Sequence, residues 1–377
     1  MEKYQKITAI VSLGMMSLGV NAAPNVATDI TPVHSLVSQV MAGVGTPDLL
    51  IQSGASPHNY SLSPSEAEAL QEADLVFWIG EGLTPWLERS LDNLSPTSTK
   101  IELLEAQGTT TYAFREGATF GAHEDEDDGH EDEAHEDEAH EDEAHEDEAH
   151  EDEAHEDEAH EDEAHEDEAH EDEAHEDEAH EDEAHEDEAH EDEAHEDEHH
   201  HDHSGVDPHA WLDPANGKVW LDVIASALAE KDPENASQYL ENAAISKAKI
   251  DTATLSIENT IAQLQDKQFI VFHDAYQYFE KRFGIMAAGS ISISDASKPS
   301  PGRIAEIRQL VEDLSVSCVF TEPQYNPGIV NAVFGDTGVN TSGVIDPLGS
   351  GLVTGTNLYS NLLIEIAKGL QSCLGKK

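Results

Sequence analysis

Four histidines stand apart from the rest. The sequence holds 23, and nineteen of them crowd between His123 and His203, leaving His34, His58, His209 and His273 in ordinary surroundings. His58 follows an apolar run within GASPHNYSLSPS, His209 lies in DPHAWLDP just before a helix start, and His273 directly follows QFIVF. Strand ends in open α/β sheets are where ligands bind. Three imidazoles with a carboxylate or water in the fourth position suit tetrahedral Zn²⁺, at about 2.0–2.1 Å per bond. The candidate fourth ligand is Asp346 in GVIDPLGS, with water as the alternative and loop capping as the competing role for that carboxylate. His34, in TPVHSLVSQV, lies at the start of a helix beside apolar residues and reads as a capping or packing residue.

The remaining histidines belong to a tract in which the pentad HEDEA recurs thirteen times from His130 to Ala194. Between Glu124 and Asp202 there are 48 acidic residues and no Lys or Arg, which accounts for most of the formal charge of -63. Such a polyanion argues against nucleic acid or an anionic membrane as partner and favours cations. The tract has no aromatic or branched aliphatic residue, so burial cannot offset the entropy of ordering it. On a helix a five-residue period advances about 140° per repeat, so its histidines would wind around the cylinder without forming a face. A disordered His/acid-rich loop over 123–203 is expected. Its histidines, among them His123, His130, His135, His195, His199, His200, His201 and His203, are secondary weak ligands. Ordering a mobile chain around each ion costs entropy, so these sites should be weaker and more numerous than a preorganised one. The tract reads as a metal antenna, buffer or sensor; a solubilising loop with incidental metal binding is the competing reading.

Around these residues the chain alternates strand-like and helix-like segments. PDLLIQS, ADLVFWIG, QFIVF and VSCVFTE read as buried strands. SPSEAEALQEA carries helix-start signals: Ser63 as N-cap, Pro64 at the first helical position and Glu66 closing a capping box. Thr84-Pro85 and Asp213-Pro214 begin two further helices in the same way, and residues 234–265 read as one long helix. DAYQYFEKRF, PGRIAEIRQLVEDL and the C-terminal NLYSNLLIEIAKGLQSCLG complete the helical set. The alternation implies an α/β protein of two lobes, each a mostly parallel sheet flanked by helices, joined by a long rigid helix. The lobes are expected at 24–233 and 266–377. Residues 1–23 have a basic start, an apolar core too short to span a membrane and small residues near Ala22 and Ala23, the pattern of a cleaved export signal. Cys318 and Cys373 fit one disulfide in an oxidising compartment, or else two buried thiols.

HNYSLSPS, DPHAWLDP, FHDAYQYFEKRFG, FTEPQYNP and IDPLG, in this order, resemble the signature segments of the metal-binding subunits of bacterial zinc ABC importers, the ZnuA type. The resemblance covers essentially the whole mature chain and includes an acidic, His-rich loop between the first two ligand segments. It implies a periplasmic, monomeric binding protein that holds zinc as cargo in a cleft between two lobes and docks on an inner-membrane ABC permease. It implies that His58, His209 and His273 are the zinc ligands and that Cys318 and Cys373 form the disulfide of the C-terminal lobe. Some members carry a carboxylate just before the first histidine; Pro57 stands there in this chain, which turns attention to Asp346 or water.

Other classes remain to be weighed. A manganese- or iron-importing binding protein is one rival; manganese-importing relatives tend to use two carboxylates in the quartet, whereas His at 273 makes this set nitrogen-rich and favours zinc. A zinc hydrolase also uses three protein ligands and an open position, but the sequence has no HExxH and no GxSxG, so an enzyme is not expected. A periplasmic zinc buffer acting without a transporter is the third rival.

Overall fold

In a computed structural model the chain is described over residues 23–115, 117, 119–120, 205–292 and 299–375. The expected export signal, except Ala23, and the whole insert 123–203 with its eight named secondary histidines lie outside the described residues.

Two four-stranded sheets form, and every pairing within them is parallel. The first holds β1 (Val26–Thr28), β2 (Asp48–Leu49), β3 (Leu75–Trp78) and β4 (Thr99–Glu102) in the order β2-β1-β3-β4. The second holds β5 (Phe269–His273), β6 (Gly289–Ser292), β7 (Cys318–Thr321) and β8 (Asn340–Val344) in the order β6-β5-β7-β8. Central strands are buried on both faces, which is why they read as unbroken apolar runs. Edge strands β4 (TKIE) and β8 (NTSGV) are polar and partly exposed, so they carry little apolar signal. The strand before Asp346 is this polar edge.

Each sheet separates its two faces by simple alternation. In β3, Leu75 and Phe77 enter a central core while Val76 and Trp78 join an outer cluster. In β5, Phe269 and Val271 face the central core and Ile270 and Phe272 the outer one. Because alternate residues share a face, His273 emerges on the same side as Phe269 and Val271, toward the middle of the molecule. The same count along β7 takes Cys318 and Phe320 inward, and Glu322, the residue after the strand, follows them.

The central core runs through both lobes without interruption, and both lie in one compact unit. Its spine is α5 (Ala236–Ile261), 26 residues long and so about 39 Å. Tyr239, Ala243, Ser246, Ile250, Ala253, Ile257 and Ile261 form its buried stripe. It packs on α1 (Thr31–Val40) and α4 (Pro214–Lys231) of the first lobe and on α6 (Gln277–Phe283) and α9 (Leu358–Leu374) of the second. Gripped along its length from both sides, it has little freedom to bend.

The start signals act as expected at two helices. At α2 (Pro64–Glu72) the Ser63 amide donates to Glu66 at 2.7 Å, and at α4 Asp213 accepts from the Ala215 amide at 2.8 Å. At α3 (Pro85–Leu94) Thr84 makes no side-chain cap bond; its hydroxyl lies 3.4 Å from the Gly80 carbonyl instead. Cys318 and Cys373 are disulfide-bonded, tying β7 to the end of α9.

Candidate metal centre

His58 sits in the loop between β2 and α2. The Trp86 indole donates to the Pro57 carbonyl at 2.8 Å, fixing the backbone one residue before it. Glu66 steadies the rest of that loop by accepting from Tyr60 at 2.9 Å and Gln52 at 3.0 Å. His209 begins a 3₁₀ turn, Ala210–Leu212, that leads into α4. It is reached after residues 205–207 pair back onto 112–114: Ala113 bridges Val206, and the Asp207 amide donates to the Tyr112 carbonyl at 2.8 Å. His273 ends β5, where strand pairing sets its position.

The three rings meet in one cleft between the lobes. Ring centroids are 5.7 Å apart for His58 and His209, and 5.4 Å apart for His209 and His273. For three imidazoles bonded tetrahedrally at about 2.0–2.1 Å, centroids fall roughly 5.2 Å apart. Among the described residues no three His, Cys, Asp or Glu side chains are already closed into a finished metal cluster. The two centroid spacings are a few tenths of an ångström wider than a bound ion requires. Pro57, Trp211, Glu322, Gln324, Tyr325, Pro347 and Leu348 line the cleft together with the histidines. The space they enclose has room for about one water-sized occupant.

Two of the histidines have a buried carboxylate behind them. Asp207 Oδ1 lies 2.8 Å from His209 Nδ1 and also accepts from the His209 amide at 3.0 Å. Both oxygens of Glu322 lie 2.9 Å from His273 Nδ1. A carboxylate at Nδ1 fixes the tautomer with its proton on that nitrogen, so any metal bond falls to Nε2, and it raises the basicity of that nitrogen. Burial pushes the Asp207 carboxyl up to about 7, against the pull of the His209 amide, Arg115 and Gln277. Burial also raises Glu322, with His273 opposing it. Both acids are easier to keep charged beside a cation.

A further buried cluster stands behind His273. Arg115 pairs with Asp274 through two nitrogens and with Glu280, which it meets at 2.6 Å, and its guanidinium covers the Phe120 ring at 3.6 Å. Burial works against the Arg115 charge, but the two carboxylates outweigh it and hold its pKa above the usual range. Asp207, Asp274, Glu280 and Glu322 are all buried; Asp274 and Glu280 are paired with Arg115, which leaves Asp207 and Glu322, behind the imidazoles, as the carboxylates that a cation would favour in their charged form.

Asp346 is engaged differently. Its Oδ1 accepts from Gln324 Nε2 at 2.9 Å and the Leu348 amide at 3.0 Å; its Oδ2 accepts from the Ser350 amide and hydroxyl, each at 2.6 Å. It organises the loop that carries Pro347 and Leu348 into the cleft and is not itself a lining residue. That loop is stitched to the first lobe: Trp211 donates to the Pro347 carbonyl, Thr31 to Leu348 and Ser53 to Ser350. His34 lies away from the cleft in α1, with Nε2 3.2 Å from the Pro47 carbonyl.

Sequence reasoning did not assign Asp207, Glu322, Gln324 or Arg115. An acid two residues before His209 is a visible signal, and Glu322 at the end of VSCVFTE is another. The partners that give them meaning are distant in sequence: 49 residues separate His273 from Glu322, and 159 separate Arg115 from Asp274.

The profile of the ZnuA family, described as zinc-uptake complex component A, periplasmic, matches residues 26–373. The chain belongs to this family. It is 42% identical over 351 residues to the high-affinity zinc uptake system protein ZnuA of Brucella suis, covering 93% of this chain and 92% of that one. It is 40% identical over 376 residues to the ZnuA of Paracoccus denitrificans, covering 100% and 99%. Among solved structures, a ZnuA deletion mutant with zinc bound shares the fold with a TM-score of 0.63 at 19% identity, covering 94% of this chain and 99% of that one. A mutant of the laminin-binding adhesin Lmb from Streptococcus agalactiae shares it at a TM-score of 0.62 and 21% identity, covering 93% and 99%. Membership of the zinc-uptake family agrees with the nitrogen-rich cleft. Among the described residues no helix is long and apolar enough to cross a membrane.

Proposed function

We propose that this protein captures one Zn²⁺ in the cleft between its lobes and delivers it to an ABC-type zinc importer in the inner membrane. The ion is cargo, held by Nε2 of His58, His209 and His273, with Asp346 or water in the fourth position. The observation that carries this reading is the meeting of three histidines, drawn from positions 58, 209 and 273, in a space for one occupant, two of them backed by buried carboxylates. His209 and His273, with ring centroids 5.4 Å apart, come from different lobes, so a bound ion would cross-link the lobes. The chain acts as a monomer in the periplasm after removal of residues 1–23, with 24–233 and 266–377 as lobes around the 234–265 linker. The insert 123–203 serves as a low-affinity antenna or sensor that gathers zinc for the cleft. The zinc uptake named in the relatives supports the cargo and the importer.

Competition titration tests the reading. The protein should hold one Zn²⁺ tightly, at least ~10-fold more tightly than Mn²⁺, since a nitrogen-rich set disfavours the oxygen-seeking ion. Equal or better binding of Mn²⁺ would overturn it. Deleting 123–203 should remove several weak sites and leave the tight one.

A further inference from the structure

The two carboxylates behind the histidines are held from different places. Glu322 belongs to the second lobe, as does the His273 it meets. Asp207 belongs to the first lobe, as does His209, yet the second lobe grips it. Gln277 Nε2, at the start of α6, donates to Asp207 Oδ2 at 3.2 Å and to the Ala113 carbonyl at 3.0 Å. The neighbouring Tyr278 hydroxyl donates to the Asp207 carbonyl at 2.6 Å and accepts from the Tyr112 amide at 3.0 Å. Helix α6 thus holds both sides of the stem in which 205–207 pair back onto 112–114. Both partners of Gln277 Nε2 can only accept, so that branch must be the NH₂ group and the amide has one orientation. Gln277 and Asp207 are both buried, so bulk water does not stand in for the bond between them.

We propose that Gln277 is a positioning residue for the cleft zinc: by holding Asp207 Oδ2 it keeps Oδ1 turned toward His209 Nδ1, so that the second lobe aims a ligand of the first. This deepens the three-histidine reading and rests on it. The last torsion of an aspartate is broad and does not select one carboxylate plane by itself. Here the plane is fixed from both ends, Oδ1 by the His209 amide and ring and Oδ2 by Gln277. Removing Gln277 would leave a buried carboxylate oxygen unmet, which is costly, and the group would turn toward another donor. Oδ1 would leave His209 Nδ1 with it, and the ring would lose the partner that sets the direction of Nε2. The geometry has a simple origin in the chain. His273 ends β5 and Gln277 opens α6 four residues later, so one short segment, HDAYQ, both carries one ligand and aims another. Ligands from two lobes are thereby aligned on a single piece of backbone.

The experiment uses the full chain, with citrate present to keep weak sites unloaded, and measures Zn²⁺ affinity by chelator competition, the visible spectrum of the Co²⁺-loaded protein and thermal stability. Gln277→Met keeps the length of the side chain and removes both polar atoms. Zinc affinity should fall about 3–10-fold, the worth of one hydrogen bond, and the Co²⁺ bands should shift as His209 turns. Asp207→Ala should cost about 10–100-fold, the range for an outer-shell partner, and adding Gln277→Met to it should lower affinity no further, because the two act as one unit. Arg282 is the control. It also joins α6 to the first lobe, through two 2.7 Å bonds to Asp213, so Arg282→Met should lower thermal stability and leave zinc affinity and the Co²⁺ spectrum unchanged. Unchanged affinity in Gln277→Met would overturn the proposal, as would a loss that persists in full when Asp207 is already Ala. So would an equal loss of affinity in Arg282→Met, which is what a residue serving only to join the lobes would give. The three-histidine reading fails separately, if His58→Ala, His209→Ala and His273→Ala each still hold zinc as tightly as the parent.

Discussion

The two sheets share one strand order, second-first-third-fourth, and therefore each has a crevice where the order reverses between its first and third strands. The two crevices are filled differently. In the first lobe Asp29 follows β1, and its carboxylate accepts from the Ile30 amide and, across the reversal, from the Ile79 amide after β3, both at 2.7 Å. Asp29 is fully buried, and burial pushes its carboxyl up to about 7 although those amides oppose it. In the second lobe His273 ends β5, and Glu322, beyond β7, reaches back across the reversal to its Nδ1. The same topological gap is spanned by a single carboxylate in one lobe and by a histidine-carboxylate pair that faces the cleft in the other. The first lobe brings its own histidines, His58 and His209, from loops past β2 and β4. Fold repetition supplies two crevices, and they differ in the residue at one strand end, Asp29 against His273.

The comparison breaks most visibly at the histidine. His273→Ala should cost more than ~100-fold in zinc affinity, beyond the range for outer-shell partners, with Asp29 and its crevice untouched; retention of tight zinc would dissolve the contrast between the lobes. Glu322→Gln, probing the partner across the gap, should weaken zinc about 10–100-fold while the protein still unfolds cooperatively. If it left affinity intact, the carboxylate would be a packing group like Asp29. Trp86→Phe removes only the hydrogen bond behind His58, a loss of roughly 0.5–1.5 kcal/mol, so zinc affinity should drop by a few-fold to about 10-fold. A change as large as that of Glu322→Gln would mean that the loop is as tightly coupled as the strand end.

Asp29 provides the opposite pole, an effect on stability and none on zinc. Its folded pKa, about 7, lies above the usual 3.8, so between those values the folded state holds a proton that the unfolded state releases. That contribution is fully present below pH ~4 and is lost as the pH rises through about 7. Asp29→Asn should flatten the decline of unfolding free energy between about pH 4 and 7, measured by urea denaturation, and leave zinc affinity unchanged. An identical pH slope in parent and variant would show that this crevice carboxylate does not titrate there.

Much of this arrangement was legible in the residues. ADLVFWIG and QFIVF declare buried strands because both their faces are covered, and Ser63 and Asp213 mark helix starts because capping is a local event. His58, His209 and His273 stood out as strand- or loop-end residues once the repetitive histidines were set aside. What could not be read depended on pairing across the chain. The polar edge strands β4 and β8 owe their existence to a neighbour's open hydrogen bonds, and β1 is only three residues long. The support for the site follows the same rule. Glu322 meets His273 only because β5 and β7 pair in parallel with a set register, and Arg115 of the first lobe meets Asp274 and Glu280 only after the chain has entered the second. Asp346 was recognisable as a loop carboxylate, but whether it ligates or caps is decided by donors at Gln324, Leu348 and Ser350.

The central claim is that three imidazoles, two from the first lobe and one from the second, hold a single ion. Zinc K-edge X-ray absorption on the protein loaded with one equivalent of Zn²⁺ in citrate measures this directly. The account predicts a four-coordinate ion with three imidazole nitrogens at about 2.0–2.1 Å and one oxygen. A first shell with fewer than three imidazoles, or one dominated by oxygen as the acidic insert would supply, would contradict it.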